Sequence, residues 1–384
     1  MKFRRIDELP AYVFASVDGL KRELRREGRD VIDLGFGNPD LPPPGVAVEK
    51  LREAALKPAN HRYSASRGIE QLRRAVVERY RDRFGVELDP ETQVVSTIGA
   101  KEGLAHLLWV LVGPGDTVVV PTPCYPIHRV SPQLAGATVV SPPVAGGIDA
   151  IAEAIREARP KVVIVSFPNN PTTAVAAPED MQRLVDLAHE HGFILVHDFA
   201  YADIAFDGYE PPSVLGADGA AECAVELYSL TKGFSMAGWR VGFTLGRADV
   251  VAALAKLKSY LDYGTFQPIQ IASIVALREA PDYPVEIRDV YRGRRDALCA
   301  GLGRAGWPVD PPLGTMFVWA EIPERLRPLG SLELALRLAR DACVAVSPGI
   351  GFGDGGEGHV RFALVENEQR IGQATRAIGR FLRT

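Results

Sequence analysis

The most chemically suggestive stretch of the chain is Ser229-Leu-Thr-Lys-Gly-Phe-Ser-Met-Ala-Gly-Trp-Arg-Val-Gly242. Lys232 stands among small and apolar residues, with hydroxyls at Ser229 and Thr231 and a guanidinium at Arg240. A lysine in water is protonated and unreactive. Desolvation and neighbouring cations lower its pKa and free the amine to condense with a carbonyl. Hydroxyls and a forked guanidinium suit a phosphate held nearby. The spacing therefore predicts an amine that captures an aldehyde beside a phosphate clamp.

Other stretches carry chemistry of the same kind. Asp198 closes the apolar run 193–197, where a carboxylate needs a partner. By residue type alone it reads either as a group awaiting a partner or a metal, or as a helix cap. Tyr201 follows three positions later. Asn170 lies in Phe167-Pro-Asn-Asn-Pro-Thr-Thr173, and Asn-Pro is also a common turn. Arg361 sits in the apolar run Val360-Arg-Phe-Ala-Leu364 and needs an anion, from a ligand or from a protein carboxylate. Gly99-Ala-Lys101 would open a helix whose free amides face an anion. Gly351-Phe-Gly-Asp-Gly-Gly356 matches G-x-G-x-x-G, but a strand follows where the dinucleotide fingerprint wants a helix. It is expected to be a loop near the substrate.

These residues must be positioned by an alternating scaffold. Short apolar runs at 117–120, 138–140, 161–167, 193–197, 224–228 and 241–245 predict strands. Helical patterns at 103–112, 148–158, 179–191 and 248–261 fall between or beside them. Such alternation predicts a wound α/β sheet, with ligands at the ends of its strands. Beyond residue 283 the pattern changes to a long helix at 285–305, a strand at 315–322, a helix at 332–341, a strand at 359–365 and a final helix. That reads as a smaller α+β domain. No internal repeat is present.

Taken together, these stretches resemble the class I and II (fold-type I) aminotransferases. That family has the lysine signature S-x-[ST]-K-x-x-x-x-x-G-x-R, an N-P-T turn, a D-x-x-Y strand end and a late arginine, in this order. The resemblance spans essentially the whole chain. Gly99-Ala-Lys-Glu-Gly103, Pro121-Thr-Pro-Cys-Tyr-Pro-Ile-His128 and Leu261-Asp-Tyr-Gly-Thr-Phe-Gln-Pro268 are most similar to the alanine and LL-diaminopimelate branch. The resemblance implies a large mixed, mostly parallel sheet with helices on both faces, spanning residues 32–283. It assigns 1–31 and 284–384 to the smaller domain.

The resemblance also implies pyridoxal 5'-phosphate. Lys232, Asp198 and Tyr201 become the catalytic set. The cofactor-binding set is Ala100, Lys101, Tyr125, Asn170, Asp198, Tyr201, Ser229, Lys232 and Arg240, joined by Tyr63 and Thr265 from a partner subunit. Gly37, Asn170 and Arg361 would bind substrate. The implied reaction is a ping-pong transfer between an L-amino acid and a 2-oxo acid, with alanine and glutamate as the leading donors. A carbon–sulfur β-lyase and an LL-diaminopimelate- or aspartate-type aminotransferase are the alternatives. Lys101, Arg67, His128 and Arg129 are candidates for reading a distal carboxylate. One departure stands out: the usual N-P-T-G turn reads Asn170-Pro-Thr-Thr173, and a β-branched residue tolerates positive φ poorly.

Composition sets outer bounds. The 384 residues suffice for two domains, and 47% hydrophobic with 24% charged residues is ordinary for a globular enzyme. A net charge of −4 disfavours a nucleic-acid partner. Cys124, Cys223, Cys299 and Cys343 are scattered without a C-x-x-C pair, so no metal site and no disulfide framework is expected. The N-terminal residues lack an apolar signal core and no apolar run is long enough to span a bilayer, which predicts a cytoplasmic protein without membrane contact.

Overall fold

The computed structural model describes residues 3–7, 9 and 12–383. Its centre is a seven-stranded sheet in the order Val94–Thr97, Gly242–Gly246, Ala224–Ser229, Ile194–Asp198, Val162–Val165, Thr117–Val119, Thr138–Val140. Gly242–Gly246 runs antiparallel to both its neighbours, and every other pairing is parallel. Alternate residues of the strands feed opposite cores, as a two-residue period requires. Val163, Val165 and Leu195 pack with Ile151, Ile155, Leu184 and Val185 of helices Gly147–Ala158 and Pro178–His191. Val162, Ile164 and Val196 pack the other way, against Leu104, Leu108, Val251 and Leu254 of helices Ala100–Leu111 and Ala248–Leu261. The expected α/β class, with helices on both faces, is what the chain adopts.

Sequence patterning overran several strand ends. The run expected at 161–167 is a strand only over Val162–Val165: its pairing with the next strand ends at Val165 opposite His197, and Phe167 N meets the His197 ring instead of a strand carbonyl. The strand expected at 315–322 begins at Phe317, because Thr315 takes a left-handed φ of 72° that no strand accommodates. Val94–Thr97 escaped the pattern altogether, being four residues long and buried on both faces.

A second core lies alongside. Strands Ser347–Pro348, His359–Ala363 and Phe317–Glu321 form an antiparallel sheet in that order. It packs under helices Tyr283–Ala305, Gly330–Ala342 and Glu368–Phe381, through Leu298, Leu334, Leu338, Val360, Phe362, Ile371 and Ile378. Helix Phe14–Arg26 adds Val17 and Leu24 to the same cluster, and Ile32–Asp33 pairs in parallel with Val344–Ala345. No helix among the described residues is long and apolar enough to cross a membrane.

Candidate active site

Lys232 rides on a single helical turn, Leu230–Gly233, at the carboxyl end of strand Ala224–Ser229. Ser229 caps that turn, its Oγ accepting from Thr231 N at 3.1 Å. The turn is pressed against Asp203, whose carbon atoms lie 2.6–3.0 Å from where a Cβ on residue 233 would stand, so only glycine fits there. Asp203 is itself fixed by Arg79 and by the Tyr228 hydroxyl, each at 2.6 Å. Lys232 Nζ donates to Gly37 O at 2.8 Å and lies 5.9 Å from the centre of the Tyr201 ring. Burial, then the charges of Arg361 and Arg240, pull its pKa down from 10.5 to about 7.

Asp198 ends the neighbouring strand, with Oδ1 accepting Ala200 N at 3.2 Å. Its Oδ2 accepts from His128 Nε2 at 2.7 Å. His128 is therefore not a reader of the substrate side chain, as the sequence suggested. It is buried and directed at the Asp198 carboxylate. Burial works against its charge, but Asp198 and the Cys124 thiol outweigh that and raise its pKa to about 9. Sequence reading also missed what lies behind Asp198. Glu226, fully buried, accepts from Tyr80 Oη at 2.8 Å, Ser213 Oγ at 2.8 Å and Val214 N at 2.9 Å, and meets His197 Nδ1 at 2.7 Å. A glutamate inside the apolar strand Ala-Val-Glu-Leu-Tyr was the available signal.

Arg361 arrives from the second sheet. Nη1 donates to Asn170 Oδ1 at 2.7 Å, and Nη2 donates to Gly35 O at 3.0 Å and Ser347 Oγ at 3.3 Å. The guanidinium carbon is 3.9 Å from the centre of the Phe317 ring and 4.6 Å from that of Phe352. Nε is buried without a hydrogen-bond partner, and no carboxylate among the described residues pairs with the group. The alternative of an internal ion pair is thus answered: this is a buried cation lacking an anion, with its pKa pushed down by burial to about 10. Asn170 Nδ2 faces the Tyr201 hydroxyl at 3.5 Å, and burial raises the Tyr201 phenol far above its usual range.

Another part of the same cavity wall suits a phosphate. Helix Ala100–Leu111 starts after Gly99, whose φ of 79° excludes most side chains, and no side chain caps that end. A Cβ on Gly99 would stand 2.2 Å from Arg240 Nη2. Arg240 holds only backbone carbonyls, Ala237 O at 3.0 Å and Ile98 O at 3.5 Å. Lys101 Nζ lies 5.6 Å from the centre of the Tyr125 ring. Ala100, Lys101, Tyr125, Asn170, Asp198, Tyr201, Ser229, Lys232, Arg240, Gly37 and Arg361 all line one cavity of about 420 Å³. An open helix end, an arginine held only by backbone carbonyls among the described residues, a low-pKa amine and a guanidinium without an anion fit a phosphorylated aldehyde and a carboxylate together.

Several expected residues lie elsewhere. Tyr63 is outside the cavity, 86% exposed, with its ring 4.7 Å from that of Tyr263. Thr265 is also outside and buried, its Oγ1 lacking a partner. Arg67 donates to Glu91 O, and Arg129 does not reach the cavity wall. Of the four candidates for a distal carboxylate, only Lys101 lines the cavity. The glycine-rich stretch 351–356 forms tight turns before strand His359–Ala363 and carries Phe352 into the site. Glu102, His106 and Asp262 cluster as metal ligands would, but Lys258 Nζ fills the position, 3.2 Å from Glu102 and 3.1 Å from Asp262. Thr173 keeps the turn and adopts φ 62°, the angle a glycine would favour.

Comparison with known proteins agrees with this geometry. Residues 29–378 match the family model described as aminotransferase class I and II. The chain is 50% identical to the glutamate–pyruvate aminotransferase AlaC of Escherichia coli (strain K12), over 98% of this chain and 93% of the relative. It is 43% identical to the LL-diaminopimelate aminotransferase of Desulforudis audaxviator (strain MP104C), over 97% and 95%. A double mutant of Thermus thermophilus aspartate aminotransferase superposes with a TM-score of 0.91 at 30% identity, covering 99% of each chain. The chain belongs to the class I and II aminotransferases and is a pyridoxal-phosphate-dependent aminotransferase.

Proposed function

We propose that the enzyme exchanges the amino group between alanine and glutamate and their 2-oxo acids, pyruvate and 2-oxoglutarate, in a ping-pong cycle. The observation that carries this reading is the placement of Lys232, an amine with a pKa near 7, in one cavity with the unpaired Arg361 and the Arg240 cradle. Similarity to a glutamate–pyruvate aminotransferase supports the substrate pair.

When bound, the cofactor supplies an electron sink for the carbanion formed at the substrate Cα. The chain's residues do the rest. Arg361, with Asn170 and the Gly37 segment, binds the substrate carboxylate and so presents Cα to Lys232. Lys232 Nζ takes the proton from Cα as a base and, as an acid, would deliver it to the former aldehyde carbon, which keeps the amino group, so that the substrate leaves as a 2-oxo acid; both roles suit an amine poised near neutrality. Asp198 would pair with the protonated ring nitrogen of the bound cofactor, its carboxylate held by His128 at Oδ2. Tyr201 and Asn170 would hydrogen-bond the phenolic oxygen, and Tyr125 would cover the ring. Ser229, Arg240, Lys101 and the Ala100 amide would hold the phosphate.

Two chains complete each site in this reading. Tyr63 and Thr265 would reach the phosphate held by the partner subunit in a twofold dimer. The exposure of Tyr63, Tyr260, Leu261, Tyr263 and Phe266 supports an interface there. Residues 32–283 act as the large cofactor-binding domain, with 1–31 and 284–384 as the smaller one, in a cytoplasmic homodimer.

The test is a screen of amino donors against pyruvate and 2-oxoglutarate. Alanine and glutamate should give the highest kcat/KM. Ammonia and pyruvate released from cystathionine with no 2-oxo acid present would favour the lyase. A strong preference for LL-diaminopimelate would move the enzyme to that neighbouring specificity.

A further inference from the structure

Lys21 and Asp33 also line the cavity, and the reaction as described gives them no part. Asp33 Oδ1 accepts from Gly35 N at 3.1 Å and from Phe36 N at 3.4 Å. Its Oδ2 accepts from Lys21 Nζ at 2.6 Å. Lys21 belongs to helix Phe14–Arg26 and is 9% exposed, with Asp18 Oδ1 as a second partner at 2.7 Å. Arg25 Nη2 approaches the same Asp33 oxygen only to 4.0 Å, from a half-exposed position.

The loop capped by Asp33 is where both cations of the site are tied. Gly35 O accepts from Arg361 Nη2 at 3.0 Å, and Gly37 O accepts from Lys232 Nζ at 2.8 Å. Ser347 Oγ adds a bond to Gly35 O at 2.8 Å. The loop has no slack. A Cβ on Gly37 would stand 2.5 Å from the Phe317 ring, and one on Gly35 would stand 3.3 Å from the Val346 carbonyl carbon. Phe317 is the same ring that lies under Arg361. A shift of this loop therefore displaces the amine and the guanidinium together.

The cavity wall carries a charge problem as well. Lys232, Arg240, Arg361 and Lys101 make it a receptor for anions. A bare carboxylate in the same wall would oppose an incoming carboxylate and weaken the field of Arg361. Lys21 is placed to offset it; Asp18, which also lines the cavity and shares Lys21, is nearly half exposed and so is screened by water, whereas Asp33 is more enclosed. Burial opposes the Lys21 charge, but Asp18 and Asp33 outweigh it and hold its pKa above the usual 10.5.

We propose that Asp33 is a positioning residue for Lys232 and Arg361, and that Lys21 is the counter-ion that keeps the Asp33 charge from opposing the substrate carboxylate. The proposal rests on the reading of Arg361 as the substrate-carboxylate site. It adds a requirement: the N-terminal helix must be docked, through Lys21, for the site to bind its substrate well.

The test compares Lys21→Met, Asp33→Asn, Asp33→Ala and Lys21→Met/Asp33→Asn in the cofactor-loaded enzyme. KM and kcat are measured with alanine, the affinity for propionate by calorimetry, and the melting temperature as a check on folding. Lys21→Met should raise KM and the propionate dissociation constant about tenfold, with a smaller change in kcat, as expected for an uncompensated like charge beside the anion site. The double variant should recover most of that loss, which a purely structural role for Lys21 would not allow. Asp33→Asn keeps an acceptor for Gly35 N and should be milder than Asp33→Ala, which should lower kcat and raise KM together. Unchanged propionate affinity in Lys21→Met, no recovery in the double variant, or a normal Asp33→Ala enzyme would each overturn the proposal. If Lys21→Met fails to fold, the contrast between Asp33→Asn and Asp33→Ala still decides the positioning role. A wild type that turns over no amino acid would sink the transamination reading, while propionate binding would still judge Lys21 and Asp33.

Discussion

His128 Nε2 lies 2.7 Å from Asp198 Oδ2, a buried charge-assisted contact between residues 70 positions apart. His128 has a folded pKa of about 9 against an ordinary 6.5, so the proton is held more tightly in the folded chain. Its contribution to stability is complete below about pH 6.5 and is lost as pH rises through about 9. In cofactor-free protein, the stability gap between wild type and His128→Asn should be wide at pH 6 and nearly closed above pH 9.5. Urea unfolding at the two pH values measures it. A gap that widens with pH would reverse the assignment.

Lys232 gives the opposite titration. With its pKa lowered to about 7, the amine is mostly neutral at pH 8 and mostly charged at pH 6. The rate at which apo-protein condenses with pyridoxal phosphate should rise through pH 7 and level off. Borohydride trapping and peptide mapping should place the label on Lys232. A label on another lysine would reject its role, and Lys232→Ala should lose turnover by about 10³-fold or more.

Arg361→Lys keeps a charge and loses the fork. Charge-assisted hydrogen bonds contribute about 1.5–3 kcal/mol. KM should therefore rise roughly tenfold to a hundredfold for alanine and glutamate alike, because the α-carboxylate is common to both. A loss confined to glutamate would put Arg361 at a distal carboxylate instead.

Thr173 holds φ 62° with a branched side chain, its N–H bonded to Asn169 O at 3.0 Å. Such a conformation costs about 1–3 kcal/mol, partly offset on substitution by the greater unfolded freedom of glycine. Thr173→Gly should be more stable by about 1 kcal/mol with unchanged kcat. Denaturant midpoints of the two proteins test this, and a less stable variant would show the angle to be unstrained.

Mixing separately inactive Lys232→Ala and Tyr63→Ala chains should restore part of the activity, since one site in a hybrid dimer carries neither change. Sedimentation of a fully active monomer would contradict the shared site.

The sequence was most legible where function and local pattern coincide. Lys232, Asp198, Asn170 and Arg361 each sit at a strand end or in an apolar run, and all four line one cavity. What stayed hidden depends on distant partners. Nothing in Pro-Ile-His-Arg tells that His128 turns toward Asp198 rather than to substrate. The pairing of Lys21 with Asp33, and the hold of Asp33 on a loop tied to residues 232 and 361, likewise exist only after the second core forms. Helix Phe14–Arg26 carried no functional signal, since its arginines, with Asp18 and Glu23 among them, resemble any solvated face. Thr173 shows the limit from the other side. The sequence flagged the missing glycine but left open whether the turn kept its angle.

The reversed direction of strand Gly242–Gly246 has its own consequence. In a wholly parallel sheet every strand begins at the rim opposite the one where its neighbours end. Arg240, just ahead of that strand, would then have been delivered to the far side of the sheet, about 17 Å away for five residues. Because this one strand runs backwards, its start meets the finish of Ala224–Ser229, and the short link between them contains both Lys232 and Arg240. Lys232 and Arg240 thus lie in a single connection whose two ends are paired neighbours in the sheet. Adding or removing a residue between 232 and 240 should disable the enzyme without disturbing the strands on either side.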